Sequence, residues 1–305
     1  MAARKTGGDH QSSSSRSSEK RGIRMLIQWF PGHMAKAKRQ MEESIKRVDS
    51  LIYVLDARAP FSCINPEFDN LIALKPVLYV INKSDLTEKS AVEKWTAAFR
   101  SKGMTVLAIS STVGKDAPKV LSALREINAQ KIERLRAKGV NYALKAMVIG
   151  MPNTGKSTLI NALCRGKKTV TGNKPGVTKG EQWVRLDGGI SLLDTPGTLS
   201  HSMKSEKAGV NLAFIGSVRD AVVDTTELSL ELIRFLNEKY SDALPARYGI
   251  SVEGSPLDIL ERTAVKRGLV RKGGEADLDK AAVALLDDFR KQRLGKIILE
   301  MPDEE

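Results

Sequence analysis

The chain has 305 residues, with 49 Lys or Arg against 36 Asp or Glu and a formal net charge of +13. No apolar run is long enough to cross a bilayer, so a membrane span is not expected. Cys63 and Cys164 have no paired spacing and the three histidines are scattered, which argues against a disulfide framework or a structural zinc and for a reducing compartment.

Residues 1–24 hold six serines, six basic and two acidic side chains, and almost no apolar content, so a disordered basic tail is expected. An organelle transit peptide is the alternative, although no amphipathic helix is evident. A cytoplasmic protein is the main expectation and an organellar matrix the second. The remaining length suits a domain of about 200 residues and a smaller one of about 70. The division expected is 25–222 and 223–305.

Residues 77–81 form a short apolar run of strand type, and Asn82-Lys83-Ser84-Asp85 follows it. A carboxylate in that place accepts two hydrogen bonds from the N1–H and exocyclic amine of guanine, a donor pair adenine lacks. Asp85 is thus the expected base reader. Asn82 would brace the loop and meet the other edge of the base, and the Lys83 stem would lie along its face. Four residues of this kind are weak on their own and gain weight from what comes later in the chain. Ser110 and Ser111 end a second strand-like run, 106–109, where their N–H groups suit the guanine carbonyl; a plain strand-to-loop serine pair is the other reading.

The strongest motif is Gly150-Met151-Pro152-Asn153-Thr154-Gly155-Lys156-Ser157, which fits G-x-x-x-x-G-K-[ST] at every fixed position. The strand-like run 146–149 precedes it and a helical apolar pattern follows, starting at Thr158. Glycines let backbone N–H groups of Asn153, Thr154 and Gly155 turn inward around phosphate oxygens, at the positive end of a helix. Lys156 is expected on the β- and γ-phosphates and the Ser157 hydroxyl on Mg²⁺. Thr178, between this loop and the next motif, completes the Mg²⁺ shell or is an ordinary loop threonine. Residues 190–193 form another apolar run, and Asp194-Thr195-Pro196-Gly197 emerges from it 37 residues after Ser157. Asp194 is expected to hold Mg²⁺ through water, and the Gly197 N–H to lie near the γ-phosphate.

Ordinary GTPases place the phosphate loop first and the base-reading motif last. Here the order is rotated, which indicates circular permutation. This order, with Gln28-Trp29-Phe30-Pro31-Gly32-His33-Met34, Asp56-Ala57-Arg58-Ala59-Pro60 and Gln182-Trp183-Val184, resembles the circularly permuted ribosome-biogenesis GTPases of the YlqF/RbgA type from about Ile27 onward. The resemblance implies an α/β fold: a circularly permuted P-loop GTPase domain, a mostly parallel sheet flanked by helices, with a small all-α C-terminal domain. It also implies binding of GTP and GDP and a role in maturing the large ribosomal subunit, with its precursor and rRNA as partners and a monomer off the ribosome.

Thr198 follows Gly197 where Ras-type enzymes have a water-orienting glutamine. The resemblance places the His33 loop near the nucleotide and makes His33 the candidate to orient water, with a helix-capping histidine as the plain alternative. It also puts Asn153 where related GTPases hold K⁺ beside the phosphates. K⁺ therefore joins Mg²⁺ as an expected cofactor.

Permutation leads the chain from Asp194 straight toward the next domain, which would couple a γ-phosphate-sensitive segment to it. In that domain, around residues 257–260 and 283–286, helical core stripes are expected, broken at Gly273-Gly274. Arg262, Lys266, Arg267, Arg271 and Lys272 form a basic group with two readings, an RNA grip or a solvated face. Function is expected to be either a slow GTPase that docks on precursor particles in the GTP state and leaves after hydrolysis, or an RNA-binding placeholder with incidental turnover.

Overall fold

The computed structural model describes residues 39, 41–112, 114–164, 182–195 and 204–304. Six strands form one sheet: β1 (Ser50–Asp56), β2 (Val77–Asn82), β3 (Thr105–Ala108), β4 (Leu144–Ile149), β5 (Gln182–Leu186) and β6 (Ile190–Asp194). Their spatial order is β3-β2-β1-β4-β6-β5, and only the β5–β6 pairing is antiparallel. β1 reads Ser-Leu-Ile-Tyr-Val-Leu-Asp and is buried along its whole length, as a central strand covered on both faces must be.

Successive β1 residues serve opposite layers, following the two-residue period of a strand. Ile52 and Val54 pack with Val120 and Leu124 of α2 (Ala117–Glu126) and with Leu159 and Leu163 of α4 (Lys156–Leu163). Leu51, Tyr53 and Leu55 face the other way, toward Trp95 and Phe99 of α1 (Lys89–Ser101) and Leu212 of α5 (Glu206–Phe214). Between α2 and β4 runs α3 (Ala129–Ala137). The phosphate-loop strand β4 is fourth in the chain yet lies beside β1, as the rotated motif order requires. Connections from β1 run to one side and those from β4 to the other, so the carboxyl ends of these two strands open the crevice in which such sheets bind nucleotides.

Four helices complete the chain: α6 (Thr225–Lys239), α7 (Ala243–Tyr248), α8 (Pro256–Lys266) and α9 (Leu278–Arg290). Their starts are chemically defined. Asp224 and Asp277 accept from the N–H groups of Glu227 and Lys280, and Ser255 forms a capping box with Asp258. The Asp288 carboxylate, buried in α9, accepts from Arg247, Tyr248, Arg267 and Arg293, tying three helices and the chain after α9 together. Burial would raise its carboxyl, but bonds from Arg293 and Arg247 outweigh this and lower it.

One expectation needs correction here. Within the core stripes, Leu257 and Val283 face solvent, while Ile259, Leu260, Leu285 and Leu286 are buried. The basic group is also largely engaged: Arg262 donates to the carbonyls of Ser251 and Asp258, Arg267 to Asp288, and Arg271 to Asp279. Those three arginines help hold the helical unit together, and Lys266 and Lys272 are exposed. Gly273 and Gly274 do form the break, in a turn closed by a bridge between Val270 and Ala276.

Candidate nucleotide site

The phosphate loop leaves β4 at Gly150 and enters α4 at Lys156, and its backbone explains its glycines. Gly150 has φ +144°, and a Cβ there would lie 2.4 Å from the Val54 carbonyl oxygen. Gly155 has φ +96°, and its Cβ would lie 2.2 Å from Asn82 Nδ2. Neither position accepts a side chain, because Gly150 packs directly against the backbone of β1 and Gly155 against Asn82 at the end of β2. Asn153 adopts φ 59°, a left-handed conformation that asparagine tolerates. Thr154 is buried, and its Oγ1 donates to the Met151 carbonyl at 3.0 Å.

Asn82, at the end of β2, joins the halves of the site. Its Nδ2 donates to the Thr154 carbonyl at 2.9 Å, and its Oδ1 accepts from Ser111 N at 3.0 Å and Ser111 Oγ at 2.7 Å. The Ser110 N–H donates to Asp116 at 3.3 Å. Both serine N–H groups therefore have protein acceptors, so the geometry gives the pair a bracing task. Asp85 is exposed on a 3-10 turn, Ser84–Leu86, and its carbonyl accepts from Gln292 at 3.0 Å.

Lys83 takes φ 59° and reaches across the site. Its Nζ lies 2.8 Å from the Asp56 carboxylate and donates to the Asn153 carbonyl at 2.5 Å. Asp56, at the end of β1, also binds the guanidinium of Arg58 at 2.8 and 2.9 Å. Burial alone would raise this carboxyl, but the charges of Arg58 and then Lys83 outweigh it and hold the group well below the usual carboxylate range. These two residues lie inside the sequence motif at 56–60, and an acidic residue closing an apolar run was the signal for them.

Lys156 is buried, and its Nζ donates to the carbonyls of Gly150 at 3.0 Å and Met151 at 2.8 Å. Burial pushes its ammonium down to about 8, with the negative charge of Asp194 opposing the shift. Asp194 is thus within electrostatic reach of the phosphate loop. It ends β6, buried, where Thr195 Oγ1 fixes the chain by donating to the Val148 carbonyl at 2.6 Å. Ser157 is half-buried on the first turn of α4, beside the exposed Thr158. His33, Thr178 and Gly197 lie outside the described residues.

The loop is also wired to the helical unit, which the sequence did not disclose. Asn153 Nδ2 donates to the Gly216 carbonyl at 2.5 Å and Ser217 Oγ to the Pro152 carbonyl at 2.7 Å, just past α5. Arg290 of α9 caps the same helix, donating to the carbonyls of Ala213 at 2.9 Å and Phe214 at 3.1 Å.

A family model described as "50S ribosome-binding GTPase" matches residues 145–245. Ribosome biogenesis GTPase A of Bacillus pumilus (strain SAFR-032) is 36% identical over 281 residues, covering 92% of this chain and 100% of the relative. The chain belongs to the ribosome biogenesis GTPase A family. It is a GTPase, in the circularly permuted order that the sheet displays. Mitochondrial ribosome-associated GTPase 1 of Mus musculus is 33% identical over 296 residues, covering 90% of each chain. The crystal structure of GNP-bound YlqF from T. maritima superposes with TM-score 0.63 at 28% identity, covering 88% of this chain and 100% of that one.

GTPases of this family use Mg²⁺, and the donor set fits that ion. Among the described residues no group of three or more His, Cys, Asp or Glu could cage a metal. Mg²⁺ does not require one, since it binds through one or two protein oxygens with phosphates and water supplying the rest. Ser157 and Asp194 are oxygen donors at the mouth of the loop.

Proposed function

We propose that this GTPase binds precursor particles of the large ribosomal subunit in its GTP state, promotes a late step of their assembly, and leaves after hydrolysis. One observation carries the nucleotide part: Asn82 hydrogen-bonds the phosphate loop with its amide and Ser111 with its carbonyl, so base and phosphates are gripped by one rigid unit. The ribosomal part is supported by the names of the relatives, and the cytoplasm is the proposed setting.

In this reading Asp85 accepts from the guanine edge, while the Lys83 stem lines the base and its ammonium stays tied to Asp56. The inward N–H groups of the loop and Lys156 hold the phosphates, and Ser157, Asp194 and Thr178 hold Mg²⁺, which would neutralise charge developing on the phosphoryl oxygens. Gly197 reports the γ-phosphate. Asn153 holds K⁺, standing in for an arginine finger, and His33 orients the attacking water.

Asp85→Asn tests the base reader. Its amide would oppose the guanine amine but match the carbonyl of xanthine, so the variant should bind GTP weakly and xanthosine triphosphate better. Unchanged preference in a binding titration removes Asp85 from the role. Lys156→Ala should abolish GTP-dependent co-sedimentation with large-subunit particles while the thermal transition persists; normal co-sedimentation would contradict the assignment.

A further inference from the structure

The chain leaves α9 through a motif that helices usually close with glycine, and here glutamine holds that position. The Gln292 N–H donates to the Phe289 carbonyl at 3.1 Å and the Arg293 N–H to the Asp288 carbonyl at 2.8 Å, the two bonds of a Schellman ending. This ending puts its first residue beyond the cap in the left-handed region, and Gln292 has φ 61°. A side chain at such a φ crowds its own backbone and glycine does not, so the ending of α9 is no reason for a glutamine. The Arg293 guanidinium also donates to the Asp288 carboxylate at 2.8 Å, which fixes the ending against the buried centre of the helical unit.

The Gln292 side chain reaches the base-reading turn. Its Nε2 donates to the Asp85 carbonyl at 3.0 Å, and a carbonyl acceptor requires the nitrogen at that end of the amide. On either side of Asp85, the Ser84 N–H donates to the Ile109 carbonyl at 3.0 Å and the Leu86 N–H to the Lys83 carbonyl at 2.9 Å. Among the described residues no other donor meets the Asp85 carbonyl, and its exposed carboxylate has no protein partner. The aim of that carboxylate therefore depends on its main chain, which Gln292 holds. Among the described residues three that are not glycine take a left-handed φ: Lys83, Asn153 and Gln292. Lys83 donates to the Asn153 carbonyl and Gln292 to the Asp85 carbonyl, so all three meet at the nucleotide site. Backbone held in a sparsely populated conformation gathers where geometry serves a site.

We infer that Gln292 is a positioning residue for guanine recognition: from the helical unit it holds the Asp85 turn in place, and so sets how long nucleotide stays bound. The inference rests on the reading of Asp85 as the base reader, and adds a residue outside the nucleotide motifs that supports it. GTP and GDP share the base, so the bond contributes equally to the affinity of both. It touches neither Lys156, Ser157 nor Asp194, so hydrolysis of GTP already bound does not depend on it.

The test uses the full chain, with release of N-methylanthraniloyl-GDP followed by stopped flow, affinities for GTP and GDP by titration, and hydrolysis at saturating GTP. Gln292→Gly keeps both backbone bonds of the ending and relieves the left-handed side chain, so its thermal transition should match or exceed the parent's. It should nonetheless release GDP about fivefold faster and bind GTP and GDP about fivefold more weakly, the effect of one lost hydrogen bond. At saturating GTP, kcat should stay within about twofold of the parent, because the loss is the same in ground and transition states. Gln292→Glu has the same length but no donor and sets a carboxylate against the carbonyl, so its release should be at least as fast. Parental release rates in both variants, or faster release that comes with a lowered thermal transition in Gln292→Gly, would overturn the inference. Asp85→Asn reports separately on the base reader. A switch of that variant to xanthosine triphosphate, together with parental GDP release in both Gln292 variants, would remove this inference alone.

Discussion

At the residue scale, the site depends on a buried carboxylate that touches neither base nor phosphate in the proposed reading. Asp56 neutralises Arg58 and Lys83 together, and this holds Lys83 in its left-handed conformation against the Asn153 carbonyl. Asp56→Asn leaves two cations in a buried place with one neutral partner, and should lower stability by about 3 kcal/mol. The folded carboxyl is depressed, so its stabilisation is present above the unfolded value of about 3.9 and is lost as pH falls below it. Urea denaturation should therefore show the full gap between parent and variant at neutral pH and a shrinking gap below about pH 4. A gap that does not change with pH would mean that the carboxylate charge is not what the pair contributes.

At the element scale, α9 touches both sides of the crevice. Its Arg290 caps α5 beside the residues that bind Pro152 and Asn153; just beyond its end, Gln292 holds the Asp85 carbonyl. The Arg58 guanidinium also donates to the Arg290 carbonyl at 3.4 Å and sits 5.5 Å from the Phe289 ring centroid. The helical unit is thus bonded to the base loop and, through α5, to the phosphate loop, independently of any γ-phosphate-sensitive segment. Arg290→Ala should cost about 2 kcal/mol, since the carbonyls of Ala213 and Phe214 and the Asp220 carboxylate each lose a donor. It should also raise hydrogen exchange at the carboxyl end of α5 and narrow the protection that nucleotide confers on α9. Unaltered exchange in α9 would show that these bonds transmit nothing.

Elements were legible in the sequence where an apolar run ended in a functional motif. β2, β4 and β6 announce themselves in this way, with Asn82, Gly150 and Asp194 at or just beyond their carboxyl ends. β1 has an apolar run of the same kind, residues 51–55, but no nucleotide motif follows it, and so it was not read as a strand. The stripe positions of Leu257 and Val283 failed for a related reason: a four-residue apolar block does not reveal which side of a helix faces in. The bonds of Arg267, Arg290 and Gln292 join residues far apart in the chain, and only the folded packing brings those partners together.

At the scale of the whole molecule, the permuted order puts α5 directly after the β6 motif, and the core of the GTPase sheet runs on into α6, α8 and α9 without a break. A change in nucleotide therefore meets one packed body. If Asn153 holds K⁺ beside the phosphates, hydrolysis should be faster in KCl than in NaCl at equal ionic strength; equal rates would leave its side chain as a link to Gly216 alone. His33→Ala should bind GTP normally and hydrolyse it slowly in single turnover, because a water-orienting group acts in the transition state. Normal hydrolysis would move that role elsewhere.

A GTPase that cycles on an assembling large subunit hydrolyses GTP faster when bound to its particle. The most direct test of that cycle is the GTP hydrolysis rate of the full chain with and without purified large-subunit precursor particles, alongside co-sedimentation in GTP and GDP. Strong stimulation by the particles, and retention in GTP but not in GDP, are the expected results. Equal rates with and without particles, together with equal retention in both nucleotides, would contradict the cycle.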